Sequence, residues 1–389
     1  MRRPVVLATN DYYFPGNKGG GAVQALANMA FRLGDRWGFK IVTSDRDACE
    51  TAPYPSLPAG HWHQLGKAEV MYLSPVRRLW RLFALVRETK FDILYLNSFF
   101  SPVFSISLLL GRKFRLITAQ RVIVAPRGDL SLSSIRRKRY KKLGYVLFAK
   151  MAGLCRDAIW HVSTAYEEAE VRRFFGRKAQ VIVARDCLPA TSDSEVRFPS
   201  RRKIEGRLDI VFLSRITRQK NLDGALSMLF HLRGAVRMRI YGFFGSEGDV
   251  DYWGECQAII DRLPPNIQVE YCGALAHADV PRVMAQHHLF FLPTHSENFG
   301  FVIFEALLVG CPILISDQTP WRDLQAKGIG WELPLGEPAR FHEALQACID
   351  MDQTGFSAMS QKARAHGLQT IRDDPSVEES VMLFEAALG

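Results

Sequence analysis

The chain has 389 residues, which allows two domains of ordinary size or one large barrel and excludes a small disulfide-stapled scaffold. With 48% hydrophobic and 23% charged residues, the composition is that of a folded globular protein and excludes wholesale disorder. The net charge of +10 is unevenly placed. Residues 1–190 hold 31 Lys and Arg against 14 Asp and Glu, a balance of +17, whereas the remainder holds 19 against 26, a balance of −7.

The cysteines and the apolar runs indicate in which cellular compartment the protein lies. The seven cysteines form no Cys-x-x-Cys pair and no tight cluster with histidine, which predicts reduced core thiols in a cytoplasmic protein. The first apolar run, Val5–Ala8, is too short for the core of a signal peptide and predicts the first strand. Polar residues interrupt the longest uncharged stretch, Ile93–Leu110, so it favours a buried strand and a helix over a membrane span.

Short apolar runs alternate with amphipathic segments of helical length in two series, which is the pattern of βα units around parallel sheets. The first series predicts strands at Val5–Thr9, Phe39–Thr43, Val70–Leu73, Ile93–Leu96, Val122–Ala125, Ile159–Val162 and Val181–Val183, with helices at Ala22–Leu33, Val76–Thr89, Ser134–Met151 and Ala165–Phe175. The second series predicts strands at Ile210–Leu213, Val236–Ile240, Ile267–Tyr271, Leu289–Leu292 and Ile313–Ser316.

A polar stretch with two prolines and no clean period, residues 189–207, separates the two series and predicts a linker. We therefore expect an N-terminal domain over 1–188 and a C-terminal domain over 208–375. A last amphipathic segment, 376–389, is expected to pack back on the N-terminal domain, although its pattern alone also fits the other one. Doubly wound domains bind ligands at the carboxyl ends of their strands, which predicts a cleft between the two sheets as the site.

The strongest motif is Thr294–Leu307, in which a strand ends, a turn follows and a helix begins near Asn298–Gly300. Glu297 in the turn and Glu305 in the helix are spaced to reach the same rim. Free amides at the helix start hold an anion such as a phosphate, and carboxylates accept hydrogen bonds from vicinal hydroxyls of sugar and ribose. The motif therefore predicts binding of a diphosphate with a sugar on each side, against the alternative of two solvated surface charges.

A second motif supplies positive charge. In Leu213–Leu222 a strand ends, a turn follows and a helix begins near Asn221. Arg215 at the strand end and Lys220 at the helix start would neutralise a departing diphosphate. Taken alone, Arg215 and Lys220 each also fit a surface turn. Their order in the chain relative to Glu297 and Glu305 favours a binding site.

The pairing of Ser-Arg-x-x-x-x-Lys at 214–220 with Glu-x-Phe-Gly-x-x-x-x-Glu at 297–305 resembles the family-four retaining glycosyltransferases of GT-B fold. The glycine-rich turn at 18–22 and the Val-x-Tyr-x-Gly strand at 269–273 agree, and the resemblance covers essentially the whole chain. It implies an α/β fold of GT-B architecture, with two Rossmann-like doubly wound parallel-sheet domains facing across a cleft. It also implies a nucleotide diphosphate sugar as substrate, with no metal or other cofactor.

The resemblance implies roles for single residues. Arg215 and Lys220 would contact the donor diphosphate. Glu305 would contact the nucleotide ribose and Glu297 the donor sugar. Arg127 stands where members often carry histidine, and because an arginine is no base at neutral pH, it is expected to contact the donor sugar, the phosphate or an anionic acceptor. The further donor-binding residues are Gly20, Gly21, Ser214, Ala274, Leu275, Asn298, Phe299 and Gly300.

Two basic segments with aromatic residues, Ile135–Ala149 and Val76–Arg87, predict contact with an anionic bilayer, with a solvated helix as the alternative. No nucleic-acid recognition fold accompanies the charge, so nucleic acid is not an expected partner. The predicted membrane-facing cations are Arg136, Arg137, Lys138, Arg139, Lys141 and Lys142.

The sequence thus predicts a metal-independent, retaining hexosyltransferase that moves a sugar to an acceptor hydroxyl, such as a saccharide or lipid-linked saccharide in cell-surface polysaccharide synthesis. It would lie peripherally on the inner face of the membrane. Two alternatives stay open: a nucleotide-sugar 2-epimerase of the same fold, and a non-catalytic membrane or nucleic-acid binding protein. Short Asp-x-Asp patterns at 45–47, 249–251 and 350–352 recur by chance and predict no metal site.

Overall fold

A computed structural model describes residues 2–136, 139–189 and 201–389. The chain forms two compact units, Met1–Ala190 with Asp374–Gly389, and Thr191–Asp373. Each unit contains a largely parallel sheet whose strands alternate with helices, which confirms the predicted α/β class. Among the described residues, no helix combines the length and the apolar character needed to cross a membrane.

The first unit is built on an eight-stranded sheet. Its strands are β1 (Val5–Thr9), β2 (Gly38–Ser44), β3 (Trp62–Leu65), β4 (Ala68–Leu73), β5 (Ile93–Asn97), β6 (Val122–Ala125), β7 (Ala158–Val162) and β8 (Gln180–Val183). Their order is β3-β4-β2-β1-β5-β6-β7-β8, and only β3 runs antiparallel to its neighbour. β3 was not predicted, because its four residues are half-buried or exposed and form no apolar run.

The helices of this unit cover strands that read as continuous apolar runs, as expected for a parallel sheet buried on both faces. They are α1 (Gly20–Leu33), α2 (Arg78–Glu88), α3 (Ser107–Lys113), α4 (Leu132–Arg136), α5 (Arg139–Met151) and α6 (Ala165–Phe175). The single helix predicted over Ser134–Met151 therefore corresponds to α4 and α5, and residues 137 and 138 between them lie outside the described part of the chain.

The second unit has a six-stranded, fully parallel sheet. Its strands are β9 (Arg207–Leu213), β10 (Ala235–Tyr241), β11 (Ile267–Tyr271), β12 (Leu289–Leu292), β13 (Ile313–Ser316) and β14 (Gly330–Leu333), in the order β11-β10-β9-β12-β13-β14. Its helices are α7 (Leu222–Ser227), α8 (Glu247–Ile260), α9 (Val280–Met284), α10 (Phe301–Leu308), α11 (Leu324–Lys327), α12 (Pro338–Asp350) and α13 (Gln353–Arg372). β14 was not predicted. It begins at Gly330, where a Cβ would lie 1.9 Å from the carbonyl oxygen of Ile313, so only glycine fits this pairing.

The described end of the expected linker is ordered within the second unit. Arg201 donates hydrogen bonds to the carbonyl oxygens of His287 (2.7 Å) and Val309 (2.6 Å). The Lys203 ammonium is buried and donates to the carbonyls of Ile349 (3.0 Å) and other residues. Residues 190–200 of the expected linker lie outside the described residues.

All seven cysteines are free thiols. Cys49 is exposed and Cys272 is half-buried, so these two are not the core residues that the sequence predicts. The buried thiols are Cys155, Cys187, Cys256, Cys311 and Cys348.

The C-terminal helix α14 (Ser376–Leu388) packs on the first unit. Its Phe384 is fully buried, with its ring centroid 5.0 Å from that of Trp37 and 6.2 Å from that of Tyr95. The backbone amide of Arg185 donates to the Glu379 carboxylate (2.8 Å), and the two side chains form an ion pair. The helix therefore completes the core of the first unit.

Replacing Phe384 with alanine removes a ring that fills this core, so we expect the free energy of unfolding of the first unit to fall by about 3–5 kcal/mol. Met382→Ala on the same helix is the matched control, because Met382 is 58% exposed and should change stability by less than about 0.5 kcal/mol. Denaturant unfolding of both variants measures the difference. Equal stability of the two variants would contradict this packing.

Candidate active site

The sheet of the second unit reverses its strand order between β9 and β12. In doubly wound sheets, ligands bind at this reversal, outside the carboxyl ends of the strands. The two predicted motifs occupy the loops that leave these strands, Ser214–Lys220 after β9 and Thr294–Gly300 after β12. The topology therefore brings both motifs to the same edge of one sheet.

Hydrogen bonds fix the two loops against each other. The carbonyl oxygen of Gln219 accepts from the Thr294 hydroxyl (3.0 Å) and from the His295 backbone amide (2.8 Å). The Asn221 side-chain amide donates to the carbonyl of Pro293 (2.8 Å). Backbone groups and short side chains make these bonds, so the spacing between the loops does not depend on long flexible side chains.

Lys220 and Glu297 form an ion pair within this junction. Their side chains are only 9% and 18% exposed. The backbone amide of Glu297 donates to the carbonyl of Gln318 (2.9 Å), which holds the carboxylate in place. The site therefore presents a fixed cation for an anionic group and a fixed carboxylate for hydroxyl donors.

The start of α10 adds a further anion-binding element. Gly300 precedes the helix with a φ of +81°, and a Cβ there would lie 3.0 Å from the Glu297 side chain, so glycine permits the tight turn. The carbonyl of Phe299 accepts from the indole N–H of Trp321 (2.7 Å), which anchors the loop. α10 begins at Phe301, and its Ile303 amide already donates to the Gly300 carbonyl (2.8 Å), so the amides that helix geometry leaves for an anion are those before Ile303.

Glu305 lies in the middle of α10 among buried apolar residues. Its side chain is 14% exposed, and burial raises the pKa of its carboxyl to about 8. Nδ1 of His277 lies 3.6 Å from the carboxyl, and burial lowers the pKa of this histidine. Both groups are therefore largely neutral at pH 7, and the carboxyl is available to hydroxyl groups.

Sequence reasoning missed two residues near this edge. His277 lies in the turn between β11 and α9, and no spacing rule links it to Glu305. Thr217 is buried in the loop after β9, and its hydroxyl is a buried side-chain oxygen with no hydrogen-bond partner in the described structure. A buried hydroxyl without a protein partner commonly binds a ligand or water.

The other predicted donor-binding residues of this unit lie in neighbouring loops. Ser214 donates its amide to the carbonyl of Tyr241 (3.1 Å), which joins the ends of β9 and β10, and Arg215 beside it is exposed. Ala274 and Leu275 follow β11; the first is exposed and the second is half-buried.

The predicted residues of the first unit lie at the carboxyl edge of its own sheet. Gly20 opens α1 after β1, with a φ of +67° that favours glycine, and Gly21 follows it. The Asn97 side-chain amide at the end of β5 donates to the carbonyl of Ala22 (2.8 Å). This bond joins the start of α1 to the point where the first sheet reverses its strand order.

Arg127 is engaged on every side by its own unit. Its guanidinium donates to Asn97 (2.8 Å) and to the Tyr95 hydroxyl (2.7 Å), and it pairs with the buried carboxylate of Asp186. Tyr95 in turn contacts Nδ1 of His161 (2.6 Å), and burial lowers the pKa of this histidine to about 3. The arginine side chain is 8% exposed, so it ties strand ends together.

Among the predicted membrane-facing cations, Arg139 and Lys141 are exposed on α5. Lys142 instead donates to the Ser134 carbonyl (3.0 Å) and lies 4.7 Å over the ring of Phe100, so the fold already engages it. The side chain of Arg136 and the residues Arg137 and Lys138 lie outside the described residues.

The described residues contain no group of three or more His, Cys, Asp or Glu arranged to hold a metal ion. Asp249, part of one Asp-x-Asp pattern, accepts from the Ser246 hydroxyl (2.8 Å) and the Gly245 amide (3.1 Å). These bonds support the chain where it enters α8, with Asp249 in the first turn of the helix.

The raised pKa of Glu305 gives a testable dependence of stability on pH. Between the ordinary value of 4.5 and about 8, the unfolded chain ionises this carboxyl while the folded chain keeps it protonated, so stability falls as the pH rises. We expect Glu305→Gln to remove this loss, which amounts to up to roughly 1.4 kcal/mol per pH unit within that window. Unfolding from pH 5 to 8.5 measures it, with Glu343→Gln, an exposed glutamate, as control. Parallel curves for wild type and Glu305→Gln would refute the assignment.

Comparisons with known proteins agree with this geometry. Residues 193–366 match the sequence model of the family described as Glycosyl transferases group 1. The chain is 26% identical to O-antigen chain mannosyltransferase B of Escherichia coli over 165 residues, which are 40% of this chain. The matched region spans 42% of that relative's length, which is less than half of it.

Solved structures share the architecture over nearly the full length. HepE of Anabaena in complex with UDP and glucose has a TM-score of 0.71 at 18% identity, covering 99% of this chain and 100% of that one. A sucrose-phosphate synthase from Thermosynechococcus elongatus has a TM-score of 0.70 at 14% identity, covering 99% of both chains. The TM-scores of 0.71 and 0.70 show that the chain shares the fold of these structures. The residues that match the family model include both charged motifs. The predicted resemblance is therefore confirmed: the chain has the GT-B fold, and its residues 193–366, less than half of its length, match the glycosyl transferases group 1 family.

Proposed function

We propose that the chain is a retaining glycosyltransferase that moves a sugar from a nucleotide diphosphate sugar to an acceptor hydroxyl. The observation that carries this proposal is the Lys220–Glu297 ion pair beside the start of α10. It combines a cation, a carboxylate and the N-terminus of a helix at one sheet edge. The mannosyltransferase relative and the UDP-bound neighbour support a nucleotide-sugar donor.

In this proposal the positive groups stabilise the leaving diphosphate. Negative charge develops on the phosphate oxygen as the glycosidic bond breaks, and Lys220, Arg215 and the amides at the start of α10 would bind it. Lys220 is held before the reaction by its ion pair with Glu297, so its ammonium needs little reorganisation. The charge compensation comes from the chain itself, and the proposal includes no metal.

Retention follows from a front-face route in which no protein nucleophile takes part. The bond from the anomeric carbon to the leaving phosphate breaks, the bond to the acceptor oxygen forms on the same face, and the phosphate takes the acceptor proton. Glu297 would bind the donor sugar: its bonds to Lys220 and to the Asn298 amide (3.3 Å) orient the carboxylate, and its remaining lone pairs can accept from sugar hydroxyls. Glu305 would bind the ribose hydroxyls.

Arg127 receives a different role from the one that the sequence predicts. Its nitrogens bind Asn97, Tyr95 and Asp186, so we assign it the task of positioning the turn at 126–128. The Glu167 carboxylate supports the same turn, since it accepts from the amide of Gly128 (2.6 Å). Gly20 and Gly21, at the start of α1, would contact the acceptor.

The acceptor in this proposal is a lipid-linked saccharide, and the protein is peripheral on the inner face of the membrane. The helix α5 carries Arg139 and Lys141 beside exposed Tyr140 (90%) and Met151 (72%). Trp80 on α2 is 79% exposed. Exposed aromatic groups next to cations suit an anionic bilayer surface.

Lys220→Ala tests the donor site. We expect turnover to fall roughly 10²–10³-fold, the scale for loss of one charged group that stabilises a transition state. Arg218→Ala is the matched control, because Arg218 lies in the same turn but is 65% exposed and pairs with Glu255 at the surface. Mass spectrometry of products from a panel of nucleotide sugars and lipid acceptors measures turnover.

An unchanged rate for Lys220→Ala, or an equal loss for both variants, would exclude this site. The same assay separates the alternatives. A 2-epimerase would convert the donor without any acceptor, and a non-catalytic binding protein would show no affinity for nucleoside diphosphates in calorimetric titration.

The double variant Arg139→Gln/Lys141→Gln tests the membrane face. Each cation near anionic headgroups contributes about 1 kcal/mol, so we expect about 2 kcal/mol weaker binding to vesicles that contain phosphatidylglycerol. Lys178→Gln, an exposed cation that is not on α5, is the control and should bind like the wild type. Co-sedimentation measures the partition, and equal binding by the double variant would remove α5 from the docking surface.

A further inference from the structure

The first unit has a cavity of about 600 Å³ at the amino edge of its sheet. Its wall is formed by the segments that precede β1, β5 and β6, together with the end of α2. Gly20 and Arg127 lie at the carboxyl edge of the same sheet. The cavity is therefore separate from the residues assigned to donor and acceptor, and none of the proposed chemistry uses it.

Positive charge dominates this cavity. Its lining includes the four cations Arg2, Arg87, Lys90 and Arg115, against the single carboxylate of Asp92. The Asp92 carboxylate accepts from the Val5 amide (2.7 Å) and from Arg2 (3.3 Å), so it is already occupied. Such an excess of cations attracts a multiply charged anion.

Arg115 occupies a backbone position that favours glycine. It follows the end of α3 with a φ of +57°, and the next amide, that of Leu116, donates to the Gly111 carbonyl (2.7 Å). This is the left-handed position after a helix end where glycine is the common residue. This turn places Arg115 among the residues that line the cavity.

The other groups at the rim are ordered and partly apolar. Nε of Arg87 donates to the Leu116 carbonyl (2.7 Å), which ties the end of α2 to the Arg115 turn. Leu116, which lines the cavity, is 48% exposed, and Phe114, two residues before it in the chain, is 69% exposed. Cations beside exposed apolar side chains are suited to a phosphate that is attached to a lipid.

We infer that this cavity binds a phosphate or diphosphate group, with a lipid headgroup as the source that its apolar rim favours. The size of the cavity is within the range of small-molecule sites and exceeds the needs of a single ion. The inference does not depend on the proposed sugar transfer, because the cavity shares no residue with the donor site.

The lipid arm of the test compares vesicles of equal surface charge that contain either phosphatidic acid or phosphatidylglycerol. The full chain should prefer phosphatidic acid, whose phosphomonoester carries the additional charge and is accessible. Arg115→Gly should lower binding to these vesicles about fivefold and abolish the preference. It also places glycine at a left-handed position, so its thermal midpoint should not fall.

Arg77→Gly is the matched control. Arg77 also has a left-handed φ, +55°, and is exposed, but it does not line the cavity. The substitution removes the same charge and relieves the same strain, yet the preference for phosphatidic acid should persist. Loss of the preference in both variants, or in neither, would overturn the inference.

Binding of a soluble phosphate is tested by titrating inorganic pyrophosphate into the Lys220→Ala protein, whose donor site is weakened. Adding Arg115→Gly to this background should weaken pyrophosphate binding at least fivefold, whereas adding Arg77→Gly should not. Pyrophosphate binding without a vesicle preference would assign the cavity to a soluble phosphate. If the protein showed neither pyrophosphate binding nor a preference for phosphatidic acid vesicles, the inference would be overturned. The proposed transferase would still be tested separately, by the turnover of Arg115→Gly with a soluble acceptor.

Discussion

The backbone carbonyl of Gln219 accepts two hydrogen bonds from the loop after β12, and this junction fixes the geometry on which the site depends. Lys220 follows it directly, and the position of Lys220 beside Glu297 is a consequence of the junction. A parallel sheet that reverses its strand order sends the two loops in opposite directions, which leaves a crevice there. The hydrogen bonds to Gln219 hold the two loops together beside that crevice.

Two buried polar groups illustrate how the surroundings decide a residue's role. Arg127 has a carboxylate, an amide and a hydroxyl as partners within its own unit, so the fold itself satisfies its charge. Glu305 is buried beside a histidine whose own pKa is lowered, and burial raises the pKa of the Glu305 carboxyl to about 8. Arg127, whose charge is compensated by partners within the fold, therefore stabilises the structure. Glu305, whose ionised form is disfavoured by burial, is available to bind a ligand.

The excess of Lys and Arg in residues 1–190 consists of groups with different roles. Some of its cations are neutralised within the fold, as Arg127 is by Asp186, and Lys142 is turned toward Phe100. Others remain at the surface of α5 or gather around the cavity before β1, β5 and β6. Net charge counts all of these alike, so it says less about partners than the location of each group does.

The sequence by itself determined the class of the fold, most strands, and the two charged motifs, because apolar periodicity and short spacings are local properties. It missed β3 and β14, which are short and lack a full apolar run. It also could not show that Arg127 is enclosed, that His277 lies beside Glu305, or that Arg115 lines a basic cavity. Those facts arise from contacts between segments far apart in the chain, and only the tertiary structure, through strand order and burial, decides which segments meet.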